Sequence, residues 1–191
     1  MKFCLLVLLA TVATTAAYTP HSPPSSRRTV LNKASALITS LTILTPTISS
    51  AGDIKQCKAK ASNCLSTLNT GTKWTSKKSQ SAAASDLEAV LKSYPQEGQN
   101  GIDGGGYTIV SGSLSGSDPE ATVEYKSSGT GNMAKYFNGG KPFVDDLNVK
   151  VNTNGEVEWS SSSRVGDSDF GVNAKRVAFI ENGLREKGWK F

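Results

Sequence analysis

The side chains from which chemistry could be built are concentrated between Pro142 and Arg176. Asp145-Asp146 is a pair of adjacent carboxylates, the raw material of general acid–base work. Asp167 and Asp169 have the Asp-x-Asp spacing that opens a calcium loop. Ser160-Ser161-Ser162-Ser163 offers hydroxyls, while Arg164, Asn173 and Arg176 could hold an anion beside a helix N-terminus. Each group also has a structural reading. Neighbouring side chains on a strand point to opposite faces, so Asp145 and Asp146 are poorly placed to act together. A buried acid needs a partner, so one of them is expected to accept hydrogen bonds or an arginine. The calcium spacing lacks its downstream glutamate. The serines have no activating base and suit strand ends or caps, and Ser168 or Asp169 is a natural helix N-cap.

Histidine narrows the chemistry further. The only one, His21, lies in the leader, and residues 52–191 have none. Ser–His–Asp and Cys–His catalysis and histidine metal ligation are thereby removed from that segment. The Gly-rich "IDGGGY" has no P-loop lysine and no helix directly after it, so it reads as a flexible turn. Cys57 and Cys64 read as a disulfide in a translocated chain; the alternative is a reactive redox pair, which more often has Cys-x-x-Cys spacing. No cofactor and no metal site is expected.

"SQSAAASDLEAVLKSYP" carries Ala83, Leu87, Val90, Leu91 and Tyr94 at helical spacing, with Pro95 as its stop. "YTIVSGSL", "ATVEYKS", "FVDDLNVKV" and "EVEWSSSS" read as strands. The last two are joined by a hairpin in which Asn154-Gly155 accepts positive φ. Residues 65–76 read as an irregular arm, and "GTGNMAKYFNGGKP" as a loop with room for one helical turn. The final helix places Val172, Val177, Ile180 and Leu184 on one stripe. This order predicts an α+β fold: an antiparallel sheet of about four strands, with the N- and C-terminal helices packed on one face.

The start of the chain reads as an address. Residues 1–17 resemble a secretory signal peptide, and residues 18–28 a plastid transit segment, Pro-, Ser- and Thr-rich without acids. Residues 29–51, after Arg27-Arg28, resemble a twin-arginine thylakoid signal with a cut before Gly52. Stacked this way, the signals resemble those of diatom-like algae with complex plastids, which implies the thylakoid lumen; the alternative is secretion. Neither apolar run reaches the roughly 20 residues of a membrane span. Residues 1–51 carry Lys2, Arg27, Arg28 and Lys33 and no acid, so without them the formal net charge falls from +5 to +1. The basicity thus belongs to import and gives no nucleic-acid footprint. Residues 52–191 are expected to form a single domain of 140 residues.

"PFVDDLNVKV" followed by "SSSSRVGDSDFGVNAKR", with Cys57 and Asn63-Cys64 upstream, resembles the bacterial and plastid family called domain of unknown function 1499 (DUF1499). The positions matching its signature include Asp145, Asp146, Ser163, Arg164, Asp169, Asn173 and Arg176. Ser160 stands where the family usually has arginine and Ala174 where it often does, which weakens an anion pocket and leaves a strand-to-helix clasp intact. In that clasp Arg164 and Arg176 pair with Asp145, Asp146 or Asp169. The resemblance implies no reaction. The functional expectation is a non-enzymatic accessory protein that binds a photosynthetic membrane complex; a small-ligand or anion-binding module is the alternative, with a carboxylate enzyme around Asp145 or Asp169 behind both.

Overall fold

The structure, a computed structural model, describes residues 52–130 and 132–191. The three leader segments and the predicted cleavage before Gly52 therefore lie outside the described residues. Nine elements follow in order: β1 (Cys64–Ser66), α1 (Thr67–Thr70), α2 (Gln80–Lys92), β2 (Tyr107–Ser113), β3 (Glu120–Lys126), α3 (Asn132–Phe137), β4 (Val144–Val151), β5 (Val157–Ser163) and α4 (Val172–Glu186). The fold is α+β, with an antiparallel sheet in the order β1-β5-β4-β3-β2.

The sheet has five strands, one more than the sequence suggests. The extra one, β1, overlaps the start of residues 65–76, the segment read as an irregular arm. Three residues leave no alternation to detect; β1 exists because it pairs with Ser160–Ser162 along the edge of β5. The hairpin from β4 to β5 sits where expected, with a different turn. Gly155 alone takes positive φ (79°), while its N–H donates to the Asn152 carbonyl at 2.9 Å. A Cβ there would lie 2.2 Å from the Lys78 carbonyl oxygen, so close backbone packing also demands glycine.

Alternation then sorts the strand residues. Val123, Leu147 and Ser161 stand in register, as do Ala121, Val149 and Trp159. With Tyr125, Val151 and Val157 they face a core shared with Ala83, Leu87, Val90 and Leu91 of α2 and Val177, Ile180 and Leu184 of α4. The two helices approach closely at Gly183, where a Cβ would meet Val90 Cγ1 at 2.9 Å. Truncating a buried leucine here, such as Leu147, costs about 2–5 kcal/mol.

The opposite sheet face is polar and partly roofed by the chain's own backbone. Gly52 N–H donates to Thr122 Oγ1 at 2.7 Å, and Lys55 N–H to Ser160 Oγ at 3.2 Å. The Cys57–Cys64 disulfide ties this arm to β1. Closing so short a loop contributes about 2.5 kcal/mol by restricting the unfolded chain.

Asp86 of α2 fastens the C-terminal end. It accepts hydrogen bonds from Lys78 Nζ at 2.5 Å and from Trp189 Nε1 at 3.0 Å. Burial alone would raise its pKa; the two hydrogen bonds outweigh that and hold the carboxyl below its ordinary 3.8. A carboxylate with a depressed folded pKa stabilises the protein above its unfolded pKa, and that contribution is lost as pH falls through the folded value. Asp86→Asn is therefore expected to cost about 1 kcal/mol at pH 7. In urea melts across a pH series, the gap to wild type should shrink below about pH 4.

Candidate functional site

At one end of the sheet, β3 and β5 finish and β4 begins. Three connections meet there: the Gly-rich loop after α2, the loop carrying α3, and the turn from β5 into α4. Reciprocal backbone hydrogen bonds between Gln99 and Ile102, at 3.1 and 2.9 Å, pinch the first loop. They deliver Asp103, in a left-handed conformation (φ 55°) that aspartate tolerates, into a buried position.

Arg176, with 0% exposure, occupies the centre. Its Nε and Nη2 donate to both oxygens of Asp103 at 2.9 and 2.6 Å, a bidentate fork. Nη2 also donates to Asp145 Oδ2 at 2.8 Å, and Nη1 to Asn173 Oδ1 at 2.7 Å. The guanidinium carbon lies 4.3 Å from the centre of the Tyr125 ring. Burial alone would lower the arginine's pKa. The hydrogen bond and charge of Asp103, with the charge and hydrogen bond of Asp145, outweigh it and keep the guanidinium protonated. Tyr94 donates its hydroxyl to Asp103 Oδ2 at 2.6 Å; burial, then this hydrogen bond, push its pKa up, so it stays a neutral donor.

Asn173 carries the network towards the chain's beginning. Its Oδ1 also accepts from Ser161 Oγ at 2.5 Å. Its Nδ2 lies within 3.2 Å of the Asn63 carbonyl and Ser163 Oγ, and 2.7 Å from Asp169 Oδ2. Asp169 accepts the Gly171 and Asn173 backbone N–H groups at 2.9 and 2.7 Å, placing negative charge at the start of α4. Gly171 is the N-cap, so Asp169 serves the helix from two residues earlier. Ser168 makes a weaker turn contact to Phe170 N–H at 3.4 Å.

The predicted residues thus fall into two groups. Asp145, Ser163, Asp169, Asn173 and Arg176 join the inner network. Asp146 and Arg164 meet on the other sheet face, where Arg164 Nε and Nη2 donate to Asp146 at 2.8 and 2.7 Å and Nη2 also reaches Glu124. Sequence reasoning missed Asp103, Tyr94 and Tyr125. A lone acid inside a glycine run was the available signal for Asp103.

Above the inner network opens a cleft of about 830 Å³. Its floor includes Asp103 and Asp145; Met133, Phe137, Phe143, Val165 and Phe170 supply apolar walls. Phe137 and Phe170 are 67% and 75% exposed, far above the norm for aromatic rings. A family model described as a protein of unknown function, DUF1499, matches residues 19–184. The chain belongs to the DUF1499 family. The matched span holds every member of the inner network and every wall of the cleft. No curated protein and no solved structure matches the chain.

Two mutational contrasts follow from this DUF1499 network. Arg176→Met strands two buried carboxylates and should cost about 3–5 kcal/mol. Arg164→Ala, removing a half-exposed clasp, should cost about 1 kcal/mol or less. Urea denaturation of both variants checks the order. Tyr125 is the second contrast, because its buried hydroxyl has no hydrogen-bond partner among the described residues. Tyr125→Phe keeps the ring under Arg176 and is expected to leave stability unchanged or raised by about 1 kcal/mol. Tyr94→Phe, losing a bond to a charged group, should cost about 1.5–3 kcal/mol in the same assay.

Proposed function

We propose that the protein is a non-enzymatic binding module that holds a small molecule with an apolar body in the cleft at the end of its sheet. The observation that carries this reading is the pairing of exposed apolar walls with a locked polar floor. A volume of about 830 Å³ falls within the range of small-molecule sites, which are largely apolar with a few fixed polar groups. We read both α2 and α4 as lying on the sheet face that carries Leu147, which leaves the strand ends to the three loops.

Binding fits this floor better than catalysis. Ser163 is engaged by Asn173, and Asp169 is occupied by backbone N–H groups. Asp145 and Asp146 point to opposite faces, each held by its own arginine. The anion-binding alternative depends on Arg164 and Arg176, and each already meets two carboxylates. The leader extends the proposal to place: an accessory role in the thylakoid lumen beside photosynthetic membranes, where an apolar ligand would be at hand.

Titration with the neutral, environment-sensitive dye Nile red tests the site. Wild type should bind the dye with enhanced emission. Phe137→Ser combined with Phe170→Ser should weaken binding about tenfold or more, the loss of roughly 1.4 kcal/mol or more of apolar contact. Both rings are exposed, so the melting temperature should hold. Equal dye binding by wild type and the double variant would sink the assignment.

A further inference from the structure

We propose that the cleft selects a cationic amphiphile, a small molecule whose apolar body meets the phenylalanine walls and whose protonated amine sits on Asp145. This inference rests on the cleft being the ligand site and adds the chemistry of the ligand's head.

Arg176 brings one positive charge to the carboxylates of Asp103 and Asp145. The third close partner, Tyr94, is a neutral donor, so the buried group retains one negative charge. Hydrogen bonding then locates it. Both oxygens of Asp103 are engaged, with Oδ1 accepting from Arg176 Nη2 and Oδ2 from Arg176 Nε and the Tyr94 hydroxyl. Asp145 uses only Oδ2, towards Arg176. Its Oδ1 has no hydrogen bond among the described residues, although Asp145 is only 6% exposed and lines the cleft. Oδ1 is not among the fully buried unpartnered atoms, so it keeps contact with the cleft, and a cation reaching it there meets the uncompensated charge of a largely desolvated carboxylate.

The walls agree in sign. Glu97 and Asp167 add carboxylates to the lining, and no lysine, arginine or histidine is among the described lining residues. A cation leaving water there meets carboxylates ahead of it and phenylalanine rings beside it. An anionic head would meet the opposite field. A neutral alcohol could donate one hydrogen bond to Asp145 Oδ1 but would leave the charge uncompensated.

Displacement of bound Nile red by octylammonium, octanol and octanoate at pH 7 separates the possibilities, because the three share one apolar chain. Octylammonium is expected to displace the dye at about tenfold lower concentration than octanol, with octanoate weakest. Asp145→Asn should erase the advantage of octylammonium over octanol. Should that variant fold poorly, the wild-type ranking stands by itself as the test. Octanol equal to octylammonium, or a preference for octanoate, overturns the cationic head and leaves the apolar site standing. Failure of all three to displace the dye overturns both this inference and the reading of the cleft as the ligand site.

Discussion

Arg176 has no exposed surface, so its charge must be met inside the protein, and the segments that meet it are the ones the fold has to bring together. Asp103 comes from the loop after α2, Asp145 from the start of β4, and Asn173 from the preceding turn of the arginine's own helix. Tyr125 of β3 supplies the ring beneath the guanidinium. Asn173 then reaches the backbone of Asn63, beside the disulfide at Cys64. One side chain thus connects the beginning, middle and end of the described chain. Hydrophobic area alone would hold α4 against the sheet without fixing its rotation. The bidentate fork to Asp103 admits one geometry.

That fixed geometry divides the labour at the end of the sheet. The floor is spent on internal hydrogen bonds and changes shape only at a large energetic cost. The walls come from loops and the short helix α3, where Met133 and Phe137 are left unburied. Phe170 stands at the junction of the two regimes. Its backbone has positive φ (55°), unusual for an aromatic residue, held by Asp169 on one side and Gly171 on the other. The polar clasp therefore sets the attitude of an exposed ring at the cleft mouth, which links the locking of the fold to the presentation of a binding surface.

Legibility followed the range of the interaction concerned. Helices α2 and α4 and strands β3 to β5 are readable because each repeats its apolar residues at its own period, β2 is readable from its β-branched content, and Gly155 marks the hairpin locally. β1 is not, because three residues form a strand only in the presence of the β5 edge. Strand alternation separates Asp145 from Asp146 but leaves the arginines' partners open among Asp145, Asp146 and Asp169; the structure gives Asp146 to Arg164 and Asp145 to Arg176, while Asp169 accepts N–H groups at the start of α4. Asp103 escaped because glycine runs are read as turns, and nothing local says that such a turn must fold inward over an arginine 73 positions later. The cleft escaped for the same reason, since its walls come from three separate connections.

The Asp145-Asp146 dyad shows how much a strand can extract from two like residues. Adjacent on β4, they lie on opposite faces, and β5 with its following turn and helix supplies an arginine for each. The outer pair stays in water, where an ion pair contributes little, and it leaves Arg164 half-exposed. The inner pair is desolvated, where the same charges are far stronger and any imbalance persists. Identical chemistry on the two faces thus has unequal consequences. Outside, the second carboxylate on Arg164, Glu124, also has Lys126 Nζ at 3.9 Å; inside, the second carboxylate on Arg176 has no further cation paired with it among the described residues and leaves a charge that only a proton or a cation can answer.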